Sequence, residues 1–182
     1  MLSSNVIHIK PCLLIVMGVS GCGKSTIANG LRQRLNWPFM EGDDLHSEHN
    51  IQKMSKGIAL NDEDRWPWLD QCHEWLKTCE RFYRGRGILT CSALKRKYRD
   101  RIIGDLYCPY YFIYLKASIP LIEKRLKNRS NHFMPASLLS SQLKTLELPE
   151  KDESVISVDT DQPVEKILEK IISTLLKTKT VS

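Results

Sequence analysis

The sequence predicts an α/β fold: one parallel sheet with helices packed on both of its faces. Three observations predict it. Short apolar segments with the composition of buried strands alternate with longer segments of helical periodicity along the chain. The first of them, Cys12 to Met17, runs straight into Gly18-Val19-Ser20-Gly21-Cys22-Gly23-Lys24-Ser25, and glycine, four residues, then Gly-Lys-Ser is the spacing of a phosphate-binding loop. A chain of 182 residues, 42% hydrophobic and 26% charged, suffices for one such domain with a sizeable core and is short for two.

Taken in order, residues 1–11 read as a flexible tail, with Val6 to Ile9 leading toward the first strand, and residues 12–178 as a single domain. After the loop, Ile27, Leu31 and Leu35 fall on one face of a helix. Pro38-Phe39-Met40 forms a second short strand ending at Glu41-Gly42-Asp43-Asp44, and His46 to Met54 is weakly helical. Asn61 is the N-cap of a long helix to about Arg84 with Pro67 in its first turns, and Leu69, Cys72, Leu76, Cys79 and Tyr83 make its core stripe. Gly87 to Cys91 is a third buried strand, Tyr98, Ile102 and Ile103 mark a helix closed at Gly104, and Tyr110 to Leu115 is the fourth strand. Ser118 caps a helix with Pro120 at its start, Leu139, Leu143 and Leu146 define another, Ser154 to Val158 is the last strand, and Pro163 opens a final helix striped with Ile167, Leu168, Ile171, Ile172 and Leu175.

Composition excludes some classes of function. No apolar run reaches the length of a membrane span, and the N-terminal stretch has no signal-peptide pattern, so a membrane partner is not expected. Six cysteines at 12, 22, 72, 79, 91 and 108 include no CxxC pair, which argues against a zinc site or a disulfide framework and fits a reducing cytoplasm. Net charge is +6 and unevenly spread: eight bases and one acid lie between Arg81 and Arg101, while acids gather at Glu147–Glu153. Such a basic stretch serves as a solvated face or a phosphate-handling surface more often than a nucleic-acid site, and no RNA-binding pattern accompanies it.

In the loop, Gly18, Gly21 and Gly23 allow backbone N–H groups, those of Val19, Ser20, Cys22 and Thr26 among the loop's set, to turn toward a polyphosphate. The helix that starts there adds its positive end. Lys24 reaches the outer phosphates and Ser25 supplies a hydroxyl to magnesium. Ligands of such sheets collect at the carboxyl ends of the strands. Asp43 is therefore the candidate for orienting an attacking hydroxyl, against the alternative of a helix-capping aspartate. His46 either bonds substrate oxygens or packs at a helix start. Ser92, Lys95 and Arg99 line a strand-to-helix turn suited to an anionic acceptor. Arg125 and Arg129, four apart, lead into Ser130-Asn131-His132 and suggest a closing lid over about 125–137, the alternative being a solvated helix face. Cys22, among inward N–H groups and near Lys24, is expected to be the most alkylation-prone thiol if its sulfur is accessible, and inert if it points inward.

Met17–Thr26, Glu41-Gly-Asp-Asp-Leu-His46, Asn50–Met54, Leu60-Asn-Asp-Glu-Asp-Arg-Trp-Pro-Trp-Leu69, Cys91-Ser-Ala-Leu-Lys95 with Tyr98-Arg-Asp100, and His132-Phe133 follow the order of the gluconokinase family, which the chain resembles from residue 13 to about 176. The resemblance implies a three-layer P-loop kinase fold with a five-stranded parallel sheet and a mobile lid, ATP and Mg²⁺ as cofactors, and gluconate as the small-molecule substrate. It implies that Lys24, Asp43 and Arg129 are catalytic, that Arg125 lies by the nucleotide, and that Glu41 joins Ser25 near the metal. His46, Arg65, Ser92, Lys95, Arg99 and His132 would surround gluconate. Members of the family are often homodimers. Cys22 where such loops often carry Ser, and Ser47 and Ala59 in place of prolines, depart from the pattern without removing a needed donor or charge. The rivals are a kinase of the same fold acting on a nucleoside monophosphate or shikimate, and an RNA-binding module using the Arg81–Arg101 surface.

Overall fold

The computed structural model describes residues 9–128 and 137–178. Strands β1 (Leu13–Met17), β2 (Phe39–Glu41), β3 (Gly87–Thr90), β4 (Tyr110–Lys116) and β5 (Val155–Asp159) form one parallel sheet in the order β2-β3-β1-β4-β5. The helices are α1 (Lys24–Leu35), α2 (Glu48–Ser55), α3 (Asp62–Phe82), α4 (Arg96–Ile103), α5 (Ile119–Lys127), α6 (Ser137–Thr145) and α7 (Val164–Lys177).

β1 lies in the middle because all five of its residues are apolar and buried, as a strand covered on both faces must be. Leu13 pairs with Gly87 on one side and Tyr110 on the other. Successive side chains of a strand point to opposite faces, so β1 feeds two separate cores. Leu14 and Val16 join Ile27 and Leu31 of α1 and Ile167, Leu168 and Ile171 of α7. Leu13, Ile15 and Met17 join Leu69, Cys72 and Leu76 of α3 with Tyr98 and Ile102 of α4. The three layers follow directly from that alternation.

Asn61 caps α3 as expected: its side chain accepts from the Asp64 N–H at 2.8 Å, and the Asp64 carboxylate accepts from the Asn61 N–H at 2.9 Å. The helix stops at Phe82, two residues before the expected Arg84, because Arg84 and Gly85 adopt left-handed φ of 56° and 67°. α2 begins at Glu48 rather than His46, since Ser47 is its cap and accepts from the Asn50 N–H at 3.2 Å. Ile9 is buried in the core, so packing starts inside the expected 1–11 tail. The expected lid lies largely outside the described residues, and with it Arg129 and His132. Among the described residues no helix is long and apolar enough to cross a membrane.

Candidate active site

The loop joins β1 to α1 at the centre of the sheet's carboxyl edge. Its turn depends on Gly18, Gly21 and Gly23, with φ of 142°, 81° and 105°, a region that side-chain-bearing residues rarely enter. Gly23 ends the loop and α1 starts at Lys24 with no acid in its first turn, which keeps the helix's positive end unopposed. The Lys24 ammonium bridges the loop, donating to the carbonyls of Gly18 at 3.0 Å and Val19 at 3.2 Å. Cys22 turns inward and is fully buried, its sulfur packed so close to Gly18 that a Cβ there would lie 2.8 Å away. Burial pushes its thiol pKa up, and the opposing pull of Lys24 and Arg125 does not reverse that. Of the two alternatives for Cys22, the inward-pointing one describes the structure, and an alkylation-prone thiol is not expected there.

Two depressions flank the loop. One is lined by Gly21, Gly23, Thr26, Arg125, Asn128 and Thr160. There Arg125 ties the loop to the end of β5, donating to the Cys22 carbonyl at 3.0 Å and the Thr160 carbonyl at 3.0 Å. The other is a cleft holding Ser20, Lys24, Ser25, Glu41, Asp43, His46, Arg65, Trp68 and Ser92 together. These residues, up to 72 positions apart in sequence, meet at one opening because the ends of β1, β2 and β3 converge there beside α3.

Asp43 sits on a 3₁₀ turn, Gly42–Leu45, that is fixed from three sides. The Gly42 N–H donates to Thr90 Oγ1 at 3.0 Å, the Thr90 hydroxyl donates to the Glu41 carboxylate, and Trp68 Nε1 donates to the Gly42 carbonyl at 2.7 Å. A Cβ at Gly42 would fall 2.0 Å from the Thr90 carbonyl oxygen, so only glycine lets β2 end this close to β3. His46 stacks on Trp68, ring centroids 4.1 Å apart. Burial lowers its pKa to about 4; Asp43 opposes the shift and Arg65 adds to it. It is therefore a neutral imidazole at pH 7. Its Nδ1 lies 3.4 Å from Asn50 Nδ2, an amide donor, which puts the ring proton on Nε2.

The cations divide differently from the sequence expectation. Arg65 lines the cleft, held by its bonds to the Leu60 carbonyl and the Tyr98 hydroxyl. Lys95 lies in an adjoining depression with Arg65, its ammonium 3.4 Å from the Asp62 carboxylate. Arg99 is corrected outright: it is 1% exposed and spends its donors on Glu153 (2.5 and 3.0 Å) and on the carbonyls of Ala93 and Glu147 (both 3.1 Å). It is a buried tie between α4 and the segment before β5. Sequence reasoning missed Ser141, Gln142 and Thr145 of α6, which also line the cleft. The apolar stripe of α6 shows which side packs inward, but a polar residue on the remaining surface carries no mark of what it faces.

A family model described as an AAA domain matches residues 13–149. The gluconokinase of Gluconobacter oxydans (strain 621H) is 51% identical over 165 residues, covering 90% of this chain and 91% of its own. The chain belongs to the gluconokinase family. The thermoresistant gluconokinase of Escherichia coli (strain K12) is 40% identical, with 92% and 95% covered. The crystal structure of a gluconokinase from Sinorhizobium meliloti 1021 superposes with a TM-score of 0.83 at 40% identity, over 93% of this chain and 94% of that one. Gluconokinases are kinases, and in this member of the family two depressions meet at the phosphate loop, with Gly21 and Gly23 lining both.

Proposed function

We propose that this protein transfers the γ-phosphoryl group of ATP to the terminal hydroxyl of D-gluconate, giving 6-phospho-D-gluconate for the pentose phosphate route. The observation that carries this reading is the single cleft in which Lys24 and Ser25 of the loop face Asp43 and Arg65. The loop's N–H groups and Lys24 hold the outer phosphates. Asp43 accepts a hydrogen bond from the acceptor hydroxyl, aligns it with the γ-phosphorus and takes its proton as the new P–O bond forms. Arg65 meets the gluconate carboxylate with a charge-assisted bond, and neutral His46 and Ser92 serve its hydroxyls. Arg125 borders the nucleotide, and the family resemblance adds Arg129 as a catalytic residue and His132 as a substrate-binding one.

Ser25 and Glu41 are hard oxygen donors on the same cleft, which suits Mg²⁺. Among the described residues no group of three or more His, Cys, Asp or Glu could hold a metal ion without help, and a magnesium ion brought in on nucleotide phosphates needs no such cage. When bound, it neutralises charge on the transferring phosphoryl group.

The test is product formation with ATP across D-gluconate, glucose, shikimate and nucleoside monophosphates. Gluconate should be used efficiently and glucose ~10,000-fold less well, because a site built for polar contacts rejects an analogue that leaves them unpaired. Comparable kcat/KM for glucose and gluconate would overturn the assignment while leaving the nucleotide site intact.

A further inference from the structure

We infer that Asn50 is a positioning residue: its carboxamide holds the imidazole of His46 as a hydrogen-bond donor toward the acceptor and leaves proton acceptance to Asp43. The inference rests on the gluconate reading and deepens it. Asp43 and His46 line the same cleft, and a neutral imidazole is itself a base. The placement of the ring proton therefore decides what His46 does there. A protonated Nε2 gives a bond to a substrate oxygen, whereas a bare Nε2 would compete with Asp43 for the proton of a hydroxyl. Among the described residues Nε2 meets no hydrogen-bonding partner, and none of their side-chain nitrogens or oxygens is both fully buried and unpaired. Nε2 thus opens onto the cleft that His46 lines.

Two contacts set the ring. Trp68 stacks on its face with the planes 18° from parallel, and Asn50 Nδ2 meets its Nδ1 edge at 3.4 Å. The carboxamide of Asn50 cannot be turned over, because the same nitrogen donates to the Asp64 carbonyl at 2.8 Å and a carbonyl only accepts. Its second hydrogen is directed at His46 Nδ1, which must then accept, and the ring proton stands on Nε2. Asn50 is 3% exposed, and its own N–H donates to Ser47 Oγ at 3.2 Å, so the carboxamide is fixed from α2 and from the first turn of α3 together. Aspartate at this position would accept from an Nδ1–H instead, which turns the proton round and points a lone pair into the cleft.

The experiment pairs nitrogen NMR of the histidine ring with steady-state kinetics. At neutral pH, proton–nitrogen correlation spectra of the wild type should give His46 Nδ1 the shift of an unprotonated ring nitrogen and Nε2 that of a protonated one. Saturating D-gluconate should move the Nε2 signal. The His46 signals are identified by their loss in His46→Phe, which keeps a ring against Trp68 and removes both nitrogens. Asn50→Asp should reverse the tautomer. Its KM for gluconate should rise about tenfold while KM for ATP changes less than about threefold, the loss of about one net hydrogen bond. In the His46→Phe background the same substitution should cost less than about twofold, since it acts through the ring. A wild type with Nδ1 protonated would overturn the inference without any variant having to fold, and the gluconate reading would stand. So would a cost of Asn50→Asp that persists undiminished in His46→Phe, the mark of a residue that does not act through His46. A wild type that carries the expected tautomer and ignores gluconate would defeat the gluconate reading and, with it, the recognition role given to the ring.

Discussion

Asp43 competes with no structural duty. The helix that follows it is capped by Ser47, so the capping role that is the alternative for Asp43 is already filled. No hydrogen bond from a described residue ties its carboxylate down, while the turn beneath it is fixed by Thr90 and Trp68. Asp43→Asn should therefore keep fold and nucleotide affinity and lose ~100- to 10,000-fold in kcat, the usual range for a positioned base. A variant that keeps most of its turnover would remove Asp43 from the chemistry. His46, three residues later, carries the pH prediction. Its pKa is 6.5 when free and about 4 here, so between those values the unfolded chain binds more protons. Stability from its neutral burial is complete above about pH 6.5 and is lost as pH falls toward 4, by about 3 kcal/mol across the window. Acidic groups add their own loss at low pH, so the readout is the difference between variants. Urea unfolding from pH 4 to 7 should show a shallower acid decline in His46→Gln than in the wild type, and identical slopes would rule His46 out as the source.

At the scale of elements, the charge pattern of the sequence resolves into ties between segments. The bases clustered between Arg81 and Arg101 are met by acids far along the chain: Arg96 by Glu150 and Asp152, Arg99 by Glu153, Arg101 by Asp70, and Lys97 by Asp62. Most of these pairs are exposed and contribute little to stability. Arg99 and Glu153 differ, with side chains 1% and 6% exposed. Removing one partner of such a buried pair leaves an uncompensated charge and costs about 3–5 kcal/mol. Arg99→Ala should accordingly lower thermal stability sharply and leave KM for the acceptor within about threefold. Replacing both partners by methionine should recover most of the stability, since a well-packed apolar pair can stand in for a buried ion pair. An Arg99→Ala enzyme of normal stability with greatly weakened acceptor binding would restore the sequence-based assignment of Arg99 to the substrate.

Across the whole molecule, what could be read in advance was what local chemistry dictates. The strands were legible because a doubly covered parallel sheet demands continuous apolar runs such as Leu13–Met17, and the loop because its spacing has a physical cause. Which arginine enters the cleft was not legible. Arg65 and Arg99 look alike in sequence, and only the tertiary placement of Tyr98 and Glu153 separates the one that lines the cleft from the one that is buried. The place of Gln142 was hidden for a similar reason, as the bond it accepts comes from Ser20, 122 residues away. That convergence has a global consequence. The cleft takes residues from the ends of β1, β2 and β3 and from α3 and α6, so the site exists only when those distant elements are assembled. A nucleotide then binds the folded chain and not the unfolded one, and its binding energy adds to stability. At a free concentration of 100 times its Kd, a non-hydrolysable ATP analogue with Mg²⁺ should add about 2.7 kcal/mol. For a chain of this length that raises Tm by about 5–10 °C. Lys24→Ala should lose most of that shift, because it removes the ammonium that spans the loop proposed to hold the phosphates. Differential scanning calorimetry of both proteins with and without the analogue makes the comparison. A wild type whose Tm does not move at saturating analogue would mean that the loop, as folded, does not hold a nucleotide.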